Sequence, residues 1–498
     1  PARPAATLLR EAEQLAREGA WAALCERVAP HVARLDGAAP EPRLVPLLAT
    51  AAAEAAHAPA LEALIGAAFA GRLAYRGLCR AAYILALGGQ CPAALALLLS
   101  QPATLQGPAT PEEMGALLNA LRVLVFHAPD RVTRAAATAL RRQVTGGEND
   151  RPDATSTLAS GDSQRPPGPA PLLFNRAAIA APLLEELDKV HTAFEAALPR
   201  REPPRLREYH DVFVNRLGQV WRPDGEVMIS MGRPLMPGSR EAMAGAPRGA
   251  TAALGTDGAG FFHWMVEWLP GLIWAAGALP GTALLLRDDA PGYQGASLDL
   301  AAPGAPRLAV GAALRVERLL VTSRHMPRFR YWDVYAPGYA RFLAEAERRA
   351  APGPRPRRLY ISRGDASRRP LRNEAALIAA LEAEGFTSLE LGPLGMAEQI
   401  ATVAAAEEIV APHGAGLAHL LGLPRPVRVL EIFPMLSGHM SLRYNFARIA
   451  RLRGHAHALR LEPQPPGRQE WEVDIQALLA DLAPWRATPL APPGQDPA

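Results

Sequence analysis

The sequence predicts an α/β protein preceded by an all-α, helical-repeat-like region. Three observations carry this expectation. From residue 5 to about 144, alanine and leucine recur at three- and four-residue spacing, the period of helices with one apolar face. From residue 355 to about 460, short apolar runs alternate with helix-period segments, the pattern of parallel βαβ units. Between them, residues 146–171 read GGENDRPDATSTLASGDSQRPPGPAP, a polar stretch without period that predicts a flexible linker.

In the first region, helix breaks are expected at Gly19-Ala20, His57-Ala58-Pro59, Gly88-Gly89 and His127-Ala128-Pro129. Their spacing suits stacked helical hairpins. The segments AEQLAREGAWAALCERV and AAYILALGGQCPAALALLL resemble tetratricopeptide-type repeats, although the Trp and Tyr signature positions are filled inconsistently. An irregular bundle is the alternative. Such an array offers a surface for a protein partner, or a cap for the next domain.

Residues 172–352 read as a noisier α/β domain. Strands are expected at Asp211 to Val214, Gly225 to Ile229, Ala283 to Leu286 and Leu319 to Val321. Helices are expected near Phe261 to Trp268 and from Tyr339 to Arg349. Pro352-Gly353-Pro354 reads as a hinge, and residues 353–498 as a regular βαβ domain with a Pro-rich tail.

Composition narrows the function classes. The 498 residues are 49% apolar and 20% charged, as in a globular protein, and the net charge is +4. Lys189 is the only lysine, so the basic balance records arginine usage, as GC-rich coding produces. No basic stripe interleaves with aromatics, which argues against a nucleic-acid partner. Cys25, Cys79 and Cys91 lie outside any CxxC or His-rich context, so buried free thiols are expected. No long uncharged apolar run predicts a transmembrane segment, and no basic-then-apolar leader opens the chain. The expected location is the cytoplasm, peripheral membrane association included.

The chemistry concentrates between Leu359 and Pro434. Ligands of doubly wound sheets bind beyond the carboxyl ends of the strands. Three features fall there: Ser362-Arg363-Gly364, the small-residue turn His413-Gly414-Ala415-Gly416, and Glu431. A diphosphate needs positive charge without bulk. Glycines let backbone N–H groups approach, and arginine forks match phosphate oxygens. A carboxylate such as Glu431 accepts ribose hydroxyls. The turn lacks a Walker lysine and is not GxGxxG, which disfavours a P-loop or a redox dinucleotide. Alone, each feature is an ordinary helix start or solvated strand end; their joint placement points to a nucleotide diphosphate.

Upstream, His263 and Glu267 stand one helical turn apart and share a face, with Trp264 and Trp268 directed to the core. An imidazole titrating near about 6.5 suits a general base. Spacing alone equally allows a plain polar pair, and it does not choose between His263 and Glu267 as the base.

The ordered set Ser362-Arg363, Arg369, Asn373-Glu374, Gln399, His413 to Leu417 and Glu431-Ile432-Phe433-Pro434 resembles glycosyltransferase family 61. The upstream stretch His263 to Pro270 fits the same resemblance, which spans roughly residues 205–460 and omits the helical region. It implies a GT-B-type pair of Rossmann-like domains and inverting sugar transfer without a metal. The chain agrees in having no Asp-x-Asp motif to bridge a diphosphate through Mg²⁺ or Mn²⁺. The resemblance puts Arg363 and the Gly414 to Gly416 backbone at the pyrophosphate. Arg369, Asn373 and Gln399 shape that site, and Glu431 sits near the ribose or base; His413 is a donor-site candidate, with a role in shaping the turn alone as its alternative. No cofactor is expected. The substrates are a nucleotide-sugar donor, UDP-sugar foremost, and a glycan or protein acceptor, as in polysaccharide biosynthesis. The alternative is a nucleotide-binding, helical-repeat interaction protein without catalysis. A hydrolase using His263 and Glu267 is a third reading, unsupported by any Gly-x-Ser-x-Gly elbow.

Overall fold

The computed structural model describes residues 5–34, 43–101, 110–145, 150–158, 167–198, 204–255, 260–323, 332–364, 370–436, 440–464 and 470–487. These residues form two compact units.

The first unit comprises residues 1–150 together with 227–235. Its helices run Ala5–Arg17, Trp21–Ala33, Leu44–Glu54, Ala58–Phe69, Tyr75–Leu87, Cys91–Leu99, Pro111–His127 and Arg131–Val144. Gly19-Ala20 and Gly88-Gly89 fall between helices, while His57-Ala58-Pro59 straddles a helix start and His127-Ala128-Pro129 a helix end. At Gly88-Gly89 the chain needs glycine twice: Gly89 has φ +79°, and a Cβ on Gly88 would collide with Ala53. Capping fixes other starts. His57 accepts from Ala60 N at 3.2 Å, and Asp130 from Thr133 N at 2.7 Å. Thr110 and Glu113 form a reciprocal capping box. Thr110→Ala is expected to cost about 1 kcal/mol, seen as a lower midpoint in urea or thermal unfolding; an unchanged midpoint contradicts the cap. Leu24, Leu48, Leu64, Leu85, Leu97 and Leu121 form the core of this unit. Cys25, Cys79 and Cys91 are buried and free, as expected. Burial raises the Cys25 thiol to about 11 and that of Cys79 to about 12, so neither is a reactive thiolate.

The second unit holds two sheets. In the first, Arg205–Val214 pairs antiparallel with Ala154–Thr157, Val220–Trp221 and Leu314–Thr322. The sheet continues in parallel through Arg248–Ala253, Ala283–Arg287 and Arg307–Val310. The second sheet is parallel throughout, in the order Thr387–Leu389, Arg358–Ile361, Glu408–Pro412, Arg428–Met435, Ala456–Pro463, Leu172–Phe174. Its central strands Glu408–Pro412, Arg428–Met435 and Ala456–Pro463 are buried on both faces, which explains their near-continuous apolar text. Tyr360, Val410, Leu430, Ile432 and Ala458 pack under Leu377, Leu381, Trp471 and Trp485. The strand order reverses between Arg358–Ile361 and Glu408–Pro412, because the intervening strand Thr387–Leu389 lies on the outer side of Arg358–Ile361. This switch point positions the site described below.

Two boundaries differ from the sequence expectation. The stretch 146–171 is not linker throughout: Ala154–Thr157 is a strand, anchored where Asp153 accepts from His210 N and from the Arg222 guanidinium, each at 2.7 Å. Residues 146–149 and 159–166 lie outside the described residues. Leu172–Phe174 joins the second sheet, not the first, and satisfies the exposed edge of Ala456–Pro463. Asn175 Nδ2 donates to Leu461 O at 2.8 Å, and Glu195 in the helix Ala181–Ala197 pairs with Arg451 at 2.9 Å. Among the described residues, no helix is long and apolar enough to cross a membrane.

Candidate functional site

The site begins at an irregular helix. Phe261–His263 is α-helical, Trp264–Trp268 forms a π turn, and Leu269–Ala278 resumes the α-helix. Pro270 lacks the N–H that would continue the tighter ladder, and single π turns of this kind often mark functional positions. Trp264, Met265, Val266 and Trp268 are buried, with Trp264 Nε1 donating to Ser297 Oγ at 2.8 Å. That anchoring leaves His263 and Glu267 facing outward. His263 Nδ1 lies 3.0 Å from Glu267 Oε2, with side chains 47% and 26% exposed. The imidazole is thus the more accessible of the two, and the carboxylate orients it.

Arg363 leaves the end of Arg358–Ile361, where Glu374 gathers the turn. Its Oε1 accepts from Tyr360 OH at 2.9 Å, Ser362 Oγ at 3.1 Å and Arg363 N at 2.8 Å. Burial, with the Glu374 charge next, pushes the Tyr360 phenol far above its ordinary range, so it stays a donor. The sequence placed Glu374 in the ordered motif set beside Asn373 without a role of its own. Arg363 Nη1 then crosses the switch point and donates to His413 O at 3.0 Å. A Cβ on Gly414 would strike that guanidinium. Gly414 is extended at φ −171°, so its glycine serves close approach and not a left-handed turn. Gly416 is limited likewise, its Cβ falling 3.0 Å from Ile361 Cγ2. Ala415 is exposed and opens Ala415–Gly422, a 3₁₀ segment where the sequence suggested an ordinary helix.

Other expected residues sit differently. Asn373 ties down Val473, donating to its carbonyl at 2.7 Å and accepting from its N–H at 3.2 Å, so the amide braces the domain. Gln399 is buried, donates to Leu394 O at 2.9 Å and lies 3.3 Å from His419 Nε2. Burial lowers His419 to about 4, leaving it neutral. Arg369 lies outside the described residues. Glu431 is fully buried, and its Oε1 is 2.5 Å from His413 Nδ1. The carboxylate faces that imidazole and not a solvent-open ribose position, because both faces of its strand are covered.

Aromatic contacts join the two halves. Phe262 stacks edge-on with His263 at 5.4 Å and with Phe446 at 5.4 Å, and Phe446 meets the His413 ring at 5.2 Å. Phe261 also reaches His419 at 5.4 Å. Phe446 carries no sequence signal: it is one residue in an otherwise ordinary helix.

Residues 261–430 match the family model described as Glycosyltransferase 61. The match begins two residues before His263 and ends one before Glu431. No curated protein matches the sequence.

Proposed function

We propose that this chain, through its glycosyltransferase family 61 stretch, is an inverting, metal-independent transferase of GT-B type. It moves a sugar from a nucleotide-sugar donor, UDP-sugar foremost, to a hydroxyl of a glycan or protein acceptor. The observation that carries the reading is the contact chain His263–Phe262–Phe446–His413, which ties a solvent-facing His–Glu pair to an arginine-and-glycine cradle.

In this mechanism the acceptor oxygen attacks the anomeric carbon from the His263 side. His263 Nε2 takes the hydroxyl proton while Glu267 holds Nδ1–H. The bond from the anomeric carbon to the diphosphate breaks, and its electron pair stays on the leaving oxygen. Arg363 and the N–H groups around Gly414 stabilise that charge. The absence of an Asp-x-Asp motif supports assigning this task to the arginine.

A donor-hydrolysis screen of UDP-, GDP- and CMP-sugars tests the proposal. UDP- or GDP-sugar turnover is expected, with CMP-sugars inert because they carry no diphosphate. Nucleotide binding without turnover of any donor would contradict catalysis and favour the interaction-protein alternative.

A further inference from the structure

The sequence predicts a ribose-binding carboxylate in this site, but Glu431 is fully buried. A second strand-end acid is exposed. Glu390 directly follows Thr387–Leu389, the strand beside Arg358–Ile361 on the side away from Glu408–Pro412. Its place is fixed from both sides. Ser362 N donates to Leu389 O at 2.9 Å, which joins the ends of the two strands. Leu391 is buried against the glycine turn, where a Cβ on Gly416 would fall 3.4 Å from Leu391 Cδ1. Between these anchors the Glu390 side chain turns over Gly364, and a Cβ on Gly364 would collide with its carboxylate. This glycine therefore serves close approach, as Gly414 does toward Arg363. Among the described residues, Glu390 has no hydrogen-bond or ion-pair partner.

We propose that Glu390 binds the ribose of the donor nucleotide, its carboxylate accepting hydrogen bonds from the 2′- and 3′-hydroxyls. In doubly wound sheets the phosphates sit at the turn after the first strand of a βαβ unit, and an acid further along that unit takes the ribose hydroxyl. Here Arg358–Ile361 leads into Ser362-Arg363-Gly364, the helix Glu374–Ala383 follows, and the next strand leads into Glu390. An ionised carboxylate only accepts, so it suits two adjacent hydroxyls and repels a phosphate. The diphosphate is thereby held on the Arg363 side and the ribose on the Glu390 side, toward the edge strand of the sheet. An exposed carboxylate without an internal partner has only water to exchange for the sugar hydroxyls. The inference rests on the reading of this turn as the donor site.

The test is isothermal calorimetry of UDP, 2′-deoxy-UDP and 3′-deoxy-UDP binding to the full chain, with GDP and its deoxy forms alongside. Wild type should bind each deoxy form about ten- to a hundredfold more weakly than its parent, the range for a hydrogen bond to a charged group. Glu390 is exposed, so Glu390→Ala should fold normally. That variant should lose at least as much affinity for the parent nucleotides and no longer distinguish them from the deoxy forms. Inorganic pyrophosphate should bind wild type and variant alike, since it carries no ribose. Equal affinity of the wild type for parent and deoxy forms would overturn recognition of the hydroxyls here. Discrimination that survives in Glu390→Ala would assign the hydroxyls to another residue and overturn the role of Glu390 while leaving the donor site intact. Failure of the wild type to bind UDP, GDP and pyrophosphate would overturn the donor site and the role of Glu390 together.

Discussion

Replacing His263 with alanine is expected to lower sugar transfer about 10²- to 10⁴-fold, the range for loss of a general base, while nucleotide binding stays at the wild-type level. The side chain is 47% exposed and packs no core, so the variant should fold normally. Glu267→Ala should cost less, because Glu267 acts through the imidazole 3.0 Å away. The double variant should then be no slower than His263→Ala, the non-additivity expected of residues working as one unit. A Glu267→Ala loss larger than that of His263→Ala would make Glu267 the base. Full activity in both single variants would move the base elsewhere.

Arg363→Ala is expected to abolish most donor turnover, by about 10²- to 10³-fold, as removal of a charge-stabilising donor does elsewhere. Its fold should survive. Glu374 secures the turn through Arg363 N, which alanine retains, and through Ser362 and Tyr360. Arg363→Lys should recover only part of the loss, since an ammonium cannot make the planar fork. Wild-type transfer by Arg363→Ala would remove the diphosphate assignment. Gly414→Ala offers a cross-check: its methyl would push the same guanidinium aside, so it should follow Arg363→Ala in donor binding.

Much of this was legible because local chemistry and fold agree. The runs Leu359 to Ile361, Ile409-Val410 and Val427 to Ile432 are strands buried on both faces, and their apolar text announces it. Arg363 and the Gly414 turn were recognisable as strand-end features, and the switch point brings them together. The His263–Glu267 pair followed from helical spacing, which the π turn does not spoil. The rest depended on partners far away in sequence. Glu431 looked like a ligand group because a doubly buried strand has no alternation to say which way a side chain faces. Asn373 sat in the right motif, but its amide meets a backbone a hundred residues on. Leu172–Phe174 is three ordinary apolar residues until the edge strand Ala456–Pro463 requires a neighbour. Phe446 became visible only through the rings on either side of it.

Proton NMR of donor turnover by the full chain in the presence of EDTA separates inverting, metal-independent transfer from its alternatives, with spectra taken before the freed sugar can equilibrate between anomers. The first sugar released is expected to have the anomeric configuration opposite to the donor's, at a rate the chelator leaves unchanged. A first product of retained configuration, or turnover that stops with EDTA and returns with Mg²⁺ or Mn²⁺, would contradict it.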